Sequence, residues 1–106
     1  MPDFIQVTTA TDDRDEAMRL TRAVVEQRLA ACAHVSGPVT STYWWHGKIE
    51  TAEEWLCLIK TRKERYPEIE AAIRELHSYD LPQIIATPIT AGNEQYLDWL
   101  RQETED

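Results

Sequence analysis

The run Ser41-Thr42-Tyr43-Trp44-Trp45-His46-Gly47-Lys48-Ile49 sets three adjacent aromatic rings beside a glycine turn. Few local structures accommodate such a run, and the natural one is the tip of a β-hairpin. Successive strand residues point to opposite faces, so Trp44 faces one side while Tyr43 and Trp45 face the other. A hairpin apolar on both faces carries more apolar surface than one small domain covers, and patches of that kind mark interfaces. The alternative is that one Trp caps the core and the other lies flat on the surface. The interface reading is favoured, with Tyr43, Trp44 and Trp45 as subunit contacts in an obligate oligomer.

The rest of the 106-residue chain fits one domain, 1–106. Charged residues at 28% and hydrophobic ones at 42% describe an ordinary globular protein rather than a disordered chain. A net charge of −8 with scattered Lys and Arg argues against a nucleic-acid partner, which needs clustered basic residues. The start, Met-Pro-Asp-Phe-Ile, lacks the basic and apolar regions of a signal peptide. No apolar run approaches the ~20 residues that span a bilayer. The expectation is a cytoplasmic protein with no membrane partner.

Phe4 to Thr9 reads as a first strand, followed by capping side chains at Thr11-Asp12-Asp13 and a helix ending near Ala30, with Ala17, Leu20 and Val24 as its buried stripe. Ala31 to His46 is a long second strand interrupted at Gly37-Pro38, where a missing donor implies an edge or a bulge. His46-Gly47-Lys48 makes the turn, and the third strand returns through Trp55–Thr61, its central five residues apolar on both faces. Pro67 opens a second helix with Ile69, Ile73 and Leu76 inward, Ile84–Thr90 forms a fourth strand at an edge, and a last helix holds Tyr96, Leu97 and Leu100 before a frayed tail. The order is β-α-β-β-α-β-α. This predicts an α+β, ferredoxin-like βαββαβ sandwich with a long β2–β3 hairpin and an extra C-terminal helix.

Few residues offer chemistry. If the hairpin is regular about Gly47-Lys48, Cys57 lies opposite Pro38 and Cys32 opposite Lys63. The thiols are then about six residues out of register, roughly 20 Å apart, too far for a disulfide. Cys32-x-His34 puts a thiol and an imidazole on one face, a half-site for a soft metal but too few ligands for structural zinc. The alternative reading makes Cys32 a small core residue and His34 a solvated one. His77 ends the second helix beside Tyr79 and Asp80; it either stabilises the last carbonyls or serves a metal or ligand. His46 is expected to face solvent. Lys60 interrupts an apolar strand and needs a route to solvent, an acid or an anionic ligand. No phosphate loop, nucleophile elbow or paired-carboxylate arrangement occurs, so no enzymatic activity and no required cofactor are expected.

With these motifs placed, the chain resembles the CutA divalent-cation tolerance family. The match runs through Leu29-Ala30-Ala31-Cys32, Ser41 to Ile49, Leu58-Ile59-Lys60-Thr61, Glu75 to Pro82, and Tyr96-Leu97-Asp98-Trp99-Leu100. The resemblance implies a homotrimer in which the hairpin reaches over a neighbouring subunit. It also implies a role in tolerance of divalent metals such as Cu²⁺. A pocket at the subunit boundary maps onto Lys60, His77 and Tyr79, with His77 as the metal contact and Cys32 as a lesser candidate. The chain departs from the family pattern with His46 and Gln83 where Glu is usual and Ser78 where Pro is usual. Some members carry a Cys where Thr8 stands. Two other classes share the fold. One is a PII-like trimer binding a small anion between subunits. The other is an acylphosphatase-like enzyme, which would need an Arg-bearing phosphate loop in place of the helix that holds Arg14.

Overall fold

The computed structural model describes residues 3–105; Met1, Pro2 and Asp106, the ends of the expected domain and of the expected leaderless start, lie outside it. The chain runs β1 (Phe4–Thr11), α1 (Arg14–Glu26), β2 (Cys32–Trp45), β3 (Lys48–Arg62), a 3-10 turn (Lys63–Arg65), α2 (Tyr66–Leu76), β4 (Ile85–Ile89) and α3 (Glu94–Glu103). The four strands form one antiparallel sheet in the order β2-β3-β1-β4. Pro88 lies on the edge strand β4, where its missing donor costs no ladder bond on the open side.

Alternation along β1 and β3 builds the core. Val7 pairs with Ile59 and Thr9 with Cys57, and these side chains share the face covered by α1 and α2. Leu20 and Val24 of α1 and Ile69 and Ile73 of α2 are completely buried against them. The Asp13 carboxylate accepts the backbone N–H groups of Asp15 and Glu16, which starts α1 where the sequence places a cap. The helix ends four residues earlier than the apolar pattern suggests. Arg28 takes a left-handed conformation with φ 58°, and the N–H groups of Leu29 and Ala30 fold back onto Val24 O.

The hairpin corrects the expected register. Its loop is two residues, His46 (φ 49°) and Gly47 (φ 76°), with Trp45 paired to Lys48, a turn that needs positive φ at both positions. A bulge then adds one residue to β2: Val39 pairs with Glu54 but Ser36 with Leu56, so Gly37 and Pro38 together oppose Trp55. The two changes place Cys32 opposite Lys60 and Cys57 opposite Val35, not opposite Lys63 and Pro38. The thiols are three residues out of register, roughly 10 Å along the strand, and point to opposite faces. Both are free. The bulge also reverses β2. Ala33 and Val35 face the helices, whereas Val39, Ser41, Tyr43 and Trp45 face the other side of the sheet.

That other side is partly covered by α3. The Tyr96 hydroxyl lies 3.3 Å from Cys32 Sγ, and the Arg101 guanidinium sits 5.0 Å above the Phe4 ring. The expected frayed tail is instead locked: Thr104 is fully buried, and its carbonyl accepts Arg65 Nη2 at 2.8 Å and a second bond from Arg62. β3 is far longer than its apolar stretch because Lys48–Glu53 runs out as a two-stranded ribbon that solvates its charges. Its apolar centre is buried unequally, with Cys57 and Ile59 sealed under the helices and Leu56 and Leu58 only half-covered.

Gly37 is where the bulge admits no side chain. An added Cβ would lie 2.9 Å from Trp55 Cδ1 and 3.0 Å from Glu54 O, at φ 154°. Gly37→Ala should therefore lower unfolding stability by about 1–3 kcal/mol, read by urea denaturation at matched subunit concentration. A change within about 0.5 kcal/mol, the range of a neutral surface substitution, would show that the bulge tolerates a methyl group.

Candidate functional site

Beyond the bulge, the face of β2 that carries Tyr43 and Trp45 meets Glu54 of β3 and Ala10 of β1. The segment after α2, Ser78–Gln83, passes across it. Together they enclose a cleft of about 750 Å³, with Tyr43, Trp45, Tyr79, Glu54, Asp12 and Asp80 in its walls. No Lys, Arg or His is among the residues that line it. A volume of this order suits a small ligand. The Tyr79 hydroxyl donates to Glu54 Oε2 at 2.9 Å and ties the segment to the sheet. Burial, then the Glu54 and Asp12 charges, push the Tyr79 hydroxyl well above the usual tyrosine range, so it stays a neutral donor.

A buried polar cluster holds the other end of the segment. The His77 ring has no solvent exposure. Its Nε2–H donates to Ala10 O at 2.7 Å, and its Nδ1 accepts the Tyr79 N–H at 3.1 Å. That pair of partners assigns the neutral tautomer with the proton on Nε2. Glu16 is 6% exposed and lies beneath: its Oε2 accepts the Thr11 hydroxyl at 2.6 Å and the Ser78 hydroxyl at 3.2 Å, and sits 3.6 Å from His77 Nδ1. Burial alone would raise this carboxyl, but the hydroxyls of Thr11 and Ser78 and the Ser78 backbone outweigh it and hold the pKa below the ordinary value.

The structure separates the residues expected to share a pocket. His77 and Tyr79 are adjacent, their ring centroids 4.7 Å apart. Lys60 lies six positions along β3 from Glu54, roughly 20 Å at the strand rise, and is paired with Cys32 beneath α3. Within one subunit Lys60 does not reach the cleft. Both His77 nitrogens are engaged by backbone groups, so coordination at either requires a backbone bond to break. Cys32 and exposed His34 gain no third ligand. Among the described residues no group of three or more His, Cys, Asp and Glu is arranged to hold a metal ion. Cys57 is a sealed thiol, pushed up to about 11 by burial and the Glu16 charge. Tyr43 and Trp45 enter the cleft wall half-exposed, whereas Trp44, 71% exposed, pairs with Ile49 on the opposite face of the hairpin.

Sequence reasoning passes over Glu16, Glu54, Asp12 and Asp80. Glu16 reads as a helix-dipole charge, and only its place one turn after Thr11 hints at a partner. Glu54 precedes the expected third strand, and no local pattern marks that the Tyr79 segment covers it.

A family profile described as CutA1 divalent ion tolerance protein matches residues 5–103. The divalent-cation tolerance protein CutA of Thermus thermophilus is 38% identical over 104 residues, covering 98% of this chain and 99% of that protein. The rice chloroplastic protein CutA 1 is 35% identical, covering 96% of this chain and 58% of its own length. Among solved structures, the periplasmic divalent cation tolerance protein CutA from Archaeoglobus fulgidus superposes with a TM-score of 0.93 at 35% identity, over 96% of this chain and 99% of that one. No helix of the described residues is long and apolar enough to cross a membrane.

The Glu16 cluster has a pH signature. A carboxyl held below its unfolded value of ~4.3 contributes stability that is fully present above that pH and is lost as pH falls through the lower folded value. Glu16→Gln, which forfeits charge-assisted hydrogen bonds, should cost about 1–3 kcal/mol at neutral pH. The gap from wild type should narrow as the solution is acidified below about pH 4, where the wild-type carboxyl also takes up a proton. Denaturation curves at several pH values check this; a gap that stays constant with pH contradicts an ionised Glu16.

Proposed function

Because this chain belongs to the CutA1 divalent ion tolerance protein family, we propose that it acts in tolerance of divalent metal ions such as Cu²⁺, as a cytoplasmic homotrimer that binds the cation weakly. The supporting observation is the cleft: its only ionisable side chains with formal charge are the carboxylates of Asp12, Glu54 and Asp80. A cation is attracted there and an anion is not. The carboxylates are not gathered into a preformed coordination shell, so affinity is modest and follows the usual divalent order, with Cu²⁺ above Ni²⁺ and Zn²⁺. An anion-binding regulatory trimer gains nothing from this lining, because a basic group enters only if Lys60 comes from a neighbouring copy.

Two features support assembly. Trp44 and Ile49 stand 71% and 62% exposed on one face of the hairpin, with nothing of their own chain to cover them. Ile85, half exposed on the edge strand, is a separate uncovered apolar side chain on the opposite face of the sheet. The two free thiols suit a reducing compartment.

The test is calorimetry with Cu²⁺ on protein whose assembly is fixed by light scattering, comparing wild type with Asp12→Asn/Asp80→Asn at about pH 7.5 and about pH 5.5. The expected result is a trimer whose weak Cu²⁺ binding drops several-fold in the double variant. Binding should largely survive the lower pH, since no imidazole lines the cleft. A monomer would remove the trimer. Absence of Cu²⁺ binding would remove the metal role. Binding that vanishes at the lower pH and ignores the double variant would return the site to an imidazole.

A further inference from the structure

We infer that the cleft is a binding site for an organic ammonium ion, an alkyl diamine or polyamine, independent of the metal reading and sharing only its location. Glu54 is the reason to look for a ligand. It is 92% withdrawn from solvent (8% exposed), it receives the Tyr79 hydroxyl, and among the described residues no cation pairs with it. A carboxylate held this deep without a counter-charge is costly, and a cation entering the cleft offsets that cost.

The walls decide which kind of cation. Tight capture of a bare metal ion needs several ligands converging within coordination distance, and the cleft offers a metal only a weak site. Tyr43, Trp45 and Tyr79 instead present ring surface, which attracts an ammonium through the ring quadrupole and packs against methylene groups. The acids lie at two levels: Glu54 is buried, whereas Asp12 and Asp80 are exposed at the rim. An ammonium at Glu54, a methylene stem along the rings and a second ammonium at the rim satisfy all three. The cleft has room for such a chain, and within one subunit no Lys, Arg or His lines it to compete with a positive charge.

An isosteric trio tests charge against shape: 1,5-diaminopentane, 1,5-pentanediol and glutarate have the same chain length and carry two positive, no and two negative charges. Titration by calorimetry in excess EDTA keeps the outcome separate from metal binding. The diamine should bind, and the diol and glutarate should not. Glu54→Gln, whose amide oxygen still accepts the Tyr79 hydroxyl, should weaken the diamine by about ten-fold or more, and Trp45→Leu by several-fold. Asp80→Asn, at an exposed position where folding is not at risk, should weaken it less. Equal binding of diamine and diol overturns the proposal. So does diamine affinity unchanged in both Glu54→Gln and Asp80→Asn, or no diamine binding at all. Loss of diamine binding with Cu²⁺ binding intact, or the reverse, tells the two readings apart.

Discussion

One oxygen atom, Glu16 Oε2, joins parts of the chain that the sheet alone leaves separate. It takes the Thr11 hydroxyl from the end of β1 and the Ser78 hydroxyl from beyond α2, while its own backbone belongs to the first turn of α1. His77 works beside it, one nitrogen on Ala10 O and the other under the Tyr79 amide. Tyr79 then reaches across to Glu54 on β3. The path from helix cap to cleft wall is therefore continuous, and its buried members, Thr11, Glu16, His77 and Glu54, are polar groups that lose a partner if a neighbour is removed. Removing one partner from such a network costs more than an average surface hydrogen bond, because the group left behind stays desolvated.

A second constraint acts on the other wall. Without the extra residue at Gly37-Pro38, the period-two alternation of β2 would turn Tyr43 and Trp45 toward the helix side and put Trp44 in the cleft. The short His46-Gly47 turn fixes where the ribbon ends, and the bulge fixes which way its rings point. The price is an exposed Trp44–Ile49 pair on the reverse face, so the aromatic cleft wall and the uncovered apolar pair arise from the same bulge.

Much of this architecture is legible from local chemistry. The Asp13 cap, the Leu20/Val24 and Ile69/Ile73 stripes, the Pro88 edge and the aromatic tip all follow from periodicity and from residues with narrow conformational preferences. The family resemblance drawn from motifs agrees with the match over residues 5–103. What escapes is long-range. The position of a bulge is not fixed by the Pro that suggests it, so facing residues were misplaced by two or three positions. The grouping of Lys60 with His77 and Tyr79 rests on the family resemblance and on a subunit boundary, and within one subunit β3 carries Lys60 away from them. Glu16 and Glu54 look like surface acids until Ser78–Gln83 folds over them, and no local pattern announces that contact. The tail shows the same limit: Thr104 reads as a polar end, yet Arg62 at the end of β3 and Arg65 in the turn after it hold its carbonyl.

The account turns on a neutral His77 buried beside an ionised Glu16, acting as the fixed post from which the cleft wall hangs. Long-range proton–nitrogen correlation on the His77 ring reads this directly. The structure predicts a single tautomer at neutral pH, with the proton on Nε2, a bare Nδ1, and an Nε2–H slow to exchange with water and unmoved by added Zn²⁺. A proton on Nδ1, fast averaging between tautomers, or a ring that shifts on metal addition would contradict it, and would make His77 part of the site rather than its support.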